Sequence, residues 1–507
     1  MDFRTRLAGA VIIGAAIGLG AASAAVAGKA VDTSALRAAV TVDGIRAHQQ
    51  ALQDIANLNG GHRAAGSQGY ADSVDYVAME LLLAGYNVEI QGFPFPFFEE
   101  LSAPVLERVK PTAIVFPADD PDGFNSMLYS GSGSVPETPV EAVDLVLPPG
   151  ANANTSTSGC EPSDFAGFTP GNIALIQRGT CTFLLKAQNA EAAGAVGVVI
   201  FNEGQPGRTE AINGTLGQPS VTIPVVGASH DVGLVLNVAG ATAIMEVNAI
   251  SEFKFAENVL AETPGGRDDR VVVVGAHLDS VPGGPGINDN GSGTATILEI
   301  ARQMSALGIQ PTNKVRFAFW GAEEFGLLGS EFYVGNLSDR EIKDIALNLN
   351  FDMLGSPNFV RFVYDGDGSD TPLAGPNGSG RIEEVFLDYF SSQGLATEAT
   401  AFDGRSDYGP FIAVGIPAGG LFSGAEGVKT DEQAAVYGGT AGESYDPCYH
   451  LACDTFDNNA NEVLDQFADA TAHAVLTFAQ TSAAVNGTAR GGVSAKAMDF
   501  RGSKAQR

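Results

Sequence analysis

Three strand-like segments of this chain each run out into residues that bind metals. The apolar run Val271–Ala276 ends at His277-Leu278-Asp279, and a Gly/Pro loop leads from there to Asp289 at the start of a helical pattern. The run Lys314–Trp320 ends at Gly321-Ala322-Glu323-Glu324, and a third run ends at Asp352. Tyr449-His450 follows much later, flanked by Cys448 and Cys453. In open α/β sheets ligands bind beyond the carboxyl ends of the strands, so this order delivers histidine and carboxylates to one edge. The chain has only six histidines, and His277 and His450 both fall in this set. Singly, each residue has a plainer reading: a Glu-Glu pair as a solvated loop, Asp289 as a helix cap, His450 as a packing residue. Jointly, imidazole plus several carboxylates and no thiolate suits one or two zinc ions in a site that keeps an open coordination position.

The elements that must position these residues read as alternating strands and helices. Val271–Ala276 is a continuous β-branched run, as in a parallel strand buried on both faces. Thr294–Leu307 reads as a helix, Lys314–Trp320 and Leu347–Met353 as further strands, and 461–481 as a closing helix. The βαβ order predicts an α/β fold with a mostly parallel twisted sheet flanked by helices. Upstream, 43–95 reads as helix, loop, helix and strand. Val74, Tyr76, Val77 and Leu81 supply a helical face within 70–83, and 86–90 alternates as a strand. Between these halves, 97–252 changes character, with Pro/Phe-rich entry segments, many turns and short strands at 172–176, 197–201, 222–226 and 243–247, plus a helix over 183–193. It reads as a compact β-rich unit inserted into the larger domain.

Composition narrows the class. With 507 residues and 45% hydrophobic content, a substantial core is available. The net charge of −31 argues against nucleic acid or an anionic membrane surface as partner. Residues 1–27 have the pattern of a secretory signal peptide: Arg4 and Arg6, an apolar stretch too short for a span, then small-residue cleavage sites. The expected product is secreted and not stably membrane-associated. In such a chain the four cysteines should pair, and proximity suggests Cys160–Cys181 and Cys448–Cys453. Residues 485–507 lack apolar periodicity and read as a flexible tail. The sequence leaves the oligomeric state open, with a monomer favoured.

The segments AHLDS, GINDNGSG, WGAEEFGLLGS, NFDMLGS, DGRSDYGPF and YDPCYHLACDTFDN resemble the signature segments of the co-catalytic two-zinc aminopeptidases, among them secreted leucine-preferring bacterial enzymes and the vacuolar aminopeptidase Y type. The segment 171–202, GNIALIQRGTCTFLLKAQNAEAAGAVGVVIFN, resembles the protease-associated (PA) domain, which is often inserted in that family at this point. The resemblance implies a peptidase domain over 28–96 and 253–484, a PA domain over 97–252, and peptide substrates with a free N-terminus. It implies two zinc ions per chain, with His277, Asp289 and Asp352 on one side, Glu324 and His450 on the other, and Asp289 bridging. Glu323 would be the general base and Tyr449 the oxyanion donor, and the Asp289–Asn290 peptide bond would be cis. Asp279 would accept the second imidazole N–H of His277 and fix its tautomer. Met353, Gly404, Arg405 and Phe422 match positions that shape the first-residue pocket, implying a large apolar first residue such as Leu. Arg405 could reach a nearby carboxylate, such as the C-terminus of a short peptide. Some relatives bind calcium through an N-terminal acid and two helical aspartates. Asp465 and Asp469 match the pair, but the position near Ala39-Val40 lacks the acid, which counts against calcium.

Two other readings share these features. A glutamate-releasing zinc carboxypeptidase uses the same sheet and insert, but carries a long helical domain after the peptidase for which few residues follow His450. A receptor-like binding protein on the same scaffold would have lost metal ligands, whereas all five and Glu323 are present.

Overall fold

The structure is a computed structural model and describes residues 31–486. The leader and all but the first two residues of the expected tail lie outside them.

The centre of the sheet that carries these strand ends is parallel, and its hydrophobic pattern says why. We label the strands β1 (Asn87–Lys110), β2 (Thr242–Glu262), β3 (Arg267–His277), β4 (Asn313–Trp320), β5 (Ile345–Phe351) and β6 (Ala418–Phe422). β3 lies between parallel neighbours β4 and β5, β6 runs parallel outside β5, and β2 pairs antiparallel with β4. Alternate residues of β3 serve two cores. Val272, Val274 and Ala276 pack with Val77, Ile300 and Val475 from helices on one face. Val271 and Val273 pack with Trp320, Tyr333 and Phe411 on the other. With both faces covered, no position in 271–276 can be polar, which is why the run is unbroken. Gly275 is required by contact: a Cβ there would meet Nε1 of the buried Trp320 at 2.6 Å.

The order β5-β3-β4 makes the carboxyl end of β3 a point where connections leave to both sides, the place where α/β sheets form their crevice. His277 ends β3, Glu323 and Glu324 follow β4, and Asp352 follows β5. The helix Gly291–Ala306 begins in the same crevice, with Asn290 as N-cap and its side chain accepting the Gly293 N–H. Gly293 lets that helix start close to β5, since a Cβ would lie 2.2 Å from the Phe351 carbonyl oxygen.

The connection to the insert departs from the sequence reading. The short strands expected at 86–90 and 243–247 are parts of β1, of 24 residues, and β2, of 21 residues. These pair antiparallel from Asn87↔Glu262 to Lys110↔Thr242 and form a ribbon shared by both halves of the molecule. Pro94 and Pro96 interrupt the strand pattern in sequence, but β1 is an edge strand there, with β2 its single neighbour, and proline is tolerated at such an edge. The expected domain boundaries fall in this ribbon, where Phe97 is paired with Glu252. Within the insert, Gly133–Val143, Ile173–Gln177, Gly197–Phe201 and Val225–Ala228 form a parallel array flanked by the helices Phe183–Ala192 and His230–Leu236. The strand expected at 222–226 starts only at Val225, after Pro224.

Candidate metal centre

The strand ends converge as two ligand sets that share one carboxylate. Nε2 of His277 lies 3.1 Å from Oδ1 of Asp289 and 3.2 Å from Oδ1 of Asp352. Nε2 of His450 lies 3.2 Å from Oδ2 of Asp289 and 3.0 Å from Oε2 of Glu324. Asp289 thus turns one oxygen to each histidine. Glu323 stands beside the first set, its Oε2 3.9 Å from Nε2 of His277. Every one of these side chains is buried except His450, which is 18% exposed.

These contacts fit a cation better than hydrogen bonds. Both carboxylate oxygens of Glu324 and Nε2 of His450 are buried and make no hydrogen bond. Ligand atoms about 2.1 Å from a tetrahedral zinc ion lie roughly 3.4 Å apart, close to the spacings of 3.0 to 3.2 Å seen here. Nitrogen and oxygen donors without thiolate also suit zinc.

The charges are unbalanced without such an ion. Burial would lower the His277 imidazole, but Asp352, Glu323, Asp279 and Asp289 hold it well above the ordinary histidine range. His450 is raised to about 10 against its own burial, by Asp289 and Glu324. Burial pushes Glu324 up to about 7, with Asp289 adding to it. Burial also drives Glu323 well above the usual carboxyl range. Asp289 goes the other way: burial opposes it, but the two histidines hold it well below that range.

Asp279 has a broader role than expected. The atom nearest to Nδ1 of His277 is the Asp279 backbone carbonyl oxygen at 3.1 Å, while its carboxylate is 3.7 Å away. That carboxylate accepts the backbone N–H of Glu323 at 3.1 Å and of Glu324 at 3.3 Å. One buried side chain therefore braces the turn that carries both glutamates. It can do so because β3 and β4 are parallel neighbours with Trp320 opposite His277.

Other braces were missed in the sequence. Arg63, fully buried, donates to the carbonyls of Leu278, Pro285 and Gly286 and shapes the loop between His277 and Asp289. Asp454 accepts the N–H of Asn288 at 2.8 Å and of Asp289 at 2.9 Å, and Asp446 accepts from Nδ2 of Asn288 at 2.7 Å. The loop that carries His450 therefore also holds the backbone of Asp289. Ser406 donates to Oδ2 of Asp352, and Nδ2 of Asn350 donates to Ser406 at 2.8 Å. Asp446 and Asp454 lie inside a motif segment, and nothing in their type separates a brace from a ligand, whereas Arg63 lies outside every motif segment. The Asp289–Asn290 bond is cis, and His450 and Met353 hold left-handed backbone at φ +59° and +54°. These left-handed conformations persist where surrounding contacts over-determine them.

Asp289, Glu323, Asp352, Tyr449 and His450 line one cavity together with Met353, Arg405 and Phe422. Gly404 is absent from its wall, although its neighbour Asp403 lines it. Instead Gly404 donates its N–H to the hydroxyl of Tyr408 at 3.0 Å. Tyr364, Ala401 and Ala425 are lining residues that the sequence reading did not name. The Tyr449 ring stacks on His450 at 3.8 Å, and burial raises its hydroxyl above the ordinary tyrosine range. Arg405 is engaged within the chain: it pairs with Glu426 at 2.7 Å and lies 3.4 Å from the Tyr449 hydroxyl. Cys160 is joined to Cys181 and Cys448 to Cys453. At the calcium position, Asp469 faces Arg37 at 3.6 Å and accepts from Tyr389 at 3.2 Å. No described helix is long and apolar enough to cross a membrane.

Comparison with known proteins gives concordant results. Residues 258–475 match the model of peptidase family M28, and residues 141–236 match that of the PA domain. A Pseudomonas aeruginosa (strain UCBPP-PA14) protein named aminopeptidase is 49% identical over 83% of this chain and 78% of its own length. Leucine aminopeptidase 2 of Arthroderma otae is 40% identical over 84% of this chain and 82% of its own. Among solved structures, BSAP, a zinc aminopeptidase from Bacillus subtilis, aligns with a TM-score of 0.53 at 26% identity, covering 86% of this chain and 94% of that one.

Proposed function

This chain belongs to peptidase family M28, and from that premise we propose that it is a zinc-dependent aminopeptidase removing a large apolar first residue from peptides with a free N-terminus. The observation that carries the reading is the pair of ligand sets joined through the two oxygens of Asp289, with Glu323 alongside. On this reading His277, Asp289 and Asp352 would hold one zinc ion, and Asp289, Glu324 and His450 would hold a second. Bound there, the ions would supply Lewis-acid polarisation of the scissile carbonyl and acidify water.

The chain's own residues do the rest. Glu323 takes the proton of the attacking water and returns it to the leaving amine. Tyr449 stays protonated through the neutral range and donates a hydrogen bond to the developing oxyanion. The carboxylates of Glu323 and Asp352, on the cavity wall, hold the substrate ammonium. Met353 and Phe422, with Tyr364 and Ala425, offer an apolar wall to the first side chain. The name of the Arthroderma relative agrees with a leucine-like preference. Arg405, anchored by Glu426, presents its guanidinium beside Tyr449.

We divide the chain at the paired residues Phe97 and Glu252, with the PA domain over 97–252 and the peptidase over 28–96 and 253–484. Both family matches are compatible with this division. Export is supported by two disulfides, which persist in oxidising compartments.

The test is cleavage of a leucine aryl amide against its N-acetylated form, before and after chelation and zinc restoration. Cleavage of the free amine alone, lost with chelator and restored by zinc, is expected. Equal cleavage of the blocked form would refute the aminopeptidase reading.

A further inference from the structure

A second cavity opens on the other side of the Glu323-Glu324 turn. It has a volume of about 280 Å³ and lies between the peptidase half and the PA side of the ribbon. Glu323 lines the first cavity and Glu324 the second, so the two meet at consecutive residues of one turn. From the insert side, Phe98, Leu128 and Tyr129 form the wall, and Val281 and Phe325 face them from the peptidase side. The wall is apolar except for Glu324 at the metal-centre end and two exposed carboxylates, Glu99 and Glu100, on the ribbon.

This wall is rigidly held. The backbone of Leu128 is bonded in both directions, its N–H to the Gly214 carbonyl and its carbonyl to the Leu216 N–H, each at 3.0 Å. Tyr129 holds a left-handed φ of +65°, unusual for a bulky side chain. Its ring meets that of Phe98 edge-on at 6.2 Å. Concave apolar sites between domains that reach a reactive centre are typical binding sites.

We propose that this cavity is the subsite for the residues that follow the scissile bond, and that the PA domain thereby selects peptides with a large apolar side chain at the position after the cleaved residue. The inference rests on the aminopeptidase reading above. A substrate whose first side chain occupies the Met353–Phe422 cavity has its scissile carbonyl at the metal centre. Its remaining length must leave past that centre, and the Glu324 side offers an apolar cavity whose wall includes Glu324 itself. An extended chain advances about 3.3 Å per residue, so the next side chain falls within the reach of this wall. Contacts on the leaving side fix the orientation of the scissile bond and so favour its cleavage.

The experiment compares leucinamide, which ends at the scissile bond, with Leu-Gly-Gly and Leu-Phe-Gly, using the full-length, zinc-loaded protein. The wild type should prefer Leu-Phe-Gly over Leu-Gly-Gly by about tenfold or more in kcat/KM, the scale for seating one large apolar side chain. Leu128→Ser and Phe98→Ala should each erode that preference several-fold, and should change the ratio of Leu-Phe-Gly to leucinamide rather than both rates together. Leu128→Ser, at a half-buried position, covers the case in which Phe98→Ala does not fold. An unchanged preference, or an equal fall on all three substrates, would overturn the subsite. Failure of the wild type to cleave leucinamide would instead overturn the reading on which the subsite rests.

Discussion

Replacing Asp279 with asparagine tests whether one buried carboxylate sets the geometry of the glutamates. Its two oxygens accept the N–H groups of Glu323 and Glu324 at 3.1 and 3.3 Å. Asparagine matches the shape but turns one of those oxygens into an NH₂ donor. Whichever way the amide faces, one backbone N–H then meets another donor, which costs about 1–3 kcal/mol when buried. The remaining bond loses its charge assistance, worth roughly 1 kcal/mol more. Arg63 also loses a counter-charge: its guanidinium is pushed down to about 10 by burial, with Asp279 the first of the charges that oppose this. The sum is about 2–4 kcal/mol against the native turn. It should appear as lower stability of the chelated protein in urea denaturation. Zinc affinity should fall roughly 10- to 100-fold in competition with a chromogenic chelator. Stability within 0.5 kcal/mol of wild type, together with zinc affinity within about twofold, would refute the bracing argument, because 0.5 kcal/mol is the scale of a neutral surface change.

Three further outcomes are expected. Glu323→Gln should retain zinc by metal analysis yet lose about 10²- to 10⁴-fold in kcat, the range for a general acid–base group, and near-normal turnover would exclude it as the base. Replacing Cys448 and Cys453 together by serine opens a loop closed across five residues. Loop closure predicts a loss of about 2 kcal/mol, and because His450 lies inside that loop, zinc affinity should fall as well, measurable by the same competition. In the insert, burial pushes Lys186 down to about 8, and its ammonium donates to the Ser158 carbonyl. Between pH 8 and the ordinary lysine range the folded chain has released this proton while the unfolded chain keeps it, so this group makes stability rise with pH across that window. Lys186→Met should remove that rise, and identical pH trends in denaturation of the two proteins would count against the assignment.

Much of the site was legible in sequence because strand burial leaves a direct trace. Two covered faces force the unbroken run at 271–276, and the polar residues just past that run and its neighbours are the ones that meet at the sheet edge. The cysteine pairs could be read from proximity alone. The ribbon was not legible: Pro94 and Pro96 contradict a strand locally, and only the absence of a second neighbour makes them harmless. Nor could residue type tell the proposed ligand Asp289 from the braces Asp279, Asp446 and Asp454. All are aspartates in motif segments, and their roles are set by which backbone N–H or imidazole each one faces. Local sequence thus determined which segments are strands and which residues end them, since burial acts residue by residue along the chain. Only the tertiary structure decided how the carboxylates divide their work, and that a wall of Phe98, Leu128 and Tyr129 borders the turn carrying Glu324. Those outcomes depend on hydrogen bonds and contacts between segments far apart in the chain, from 44 residues for Asp279 and Glu323 to 166 for Asn288 and Asp454.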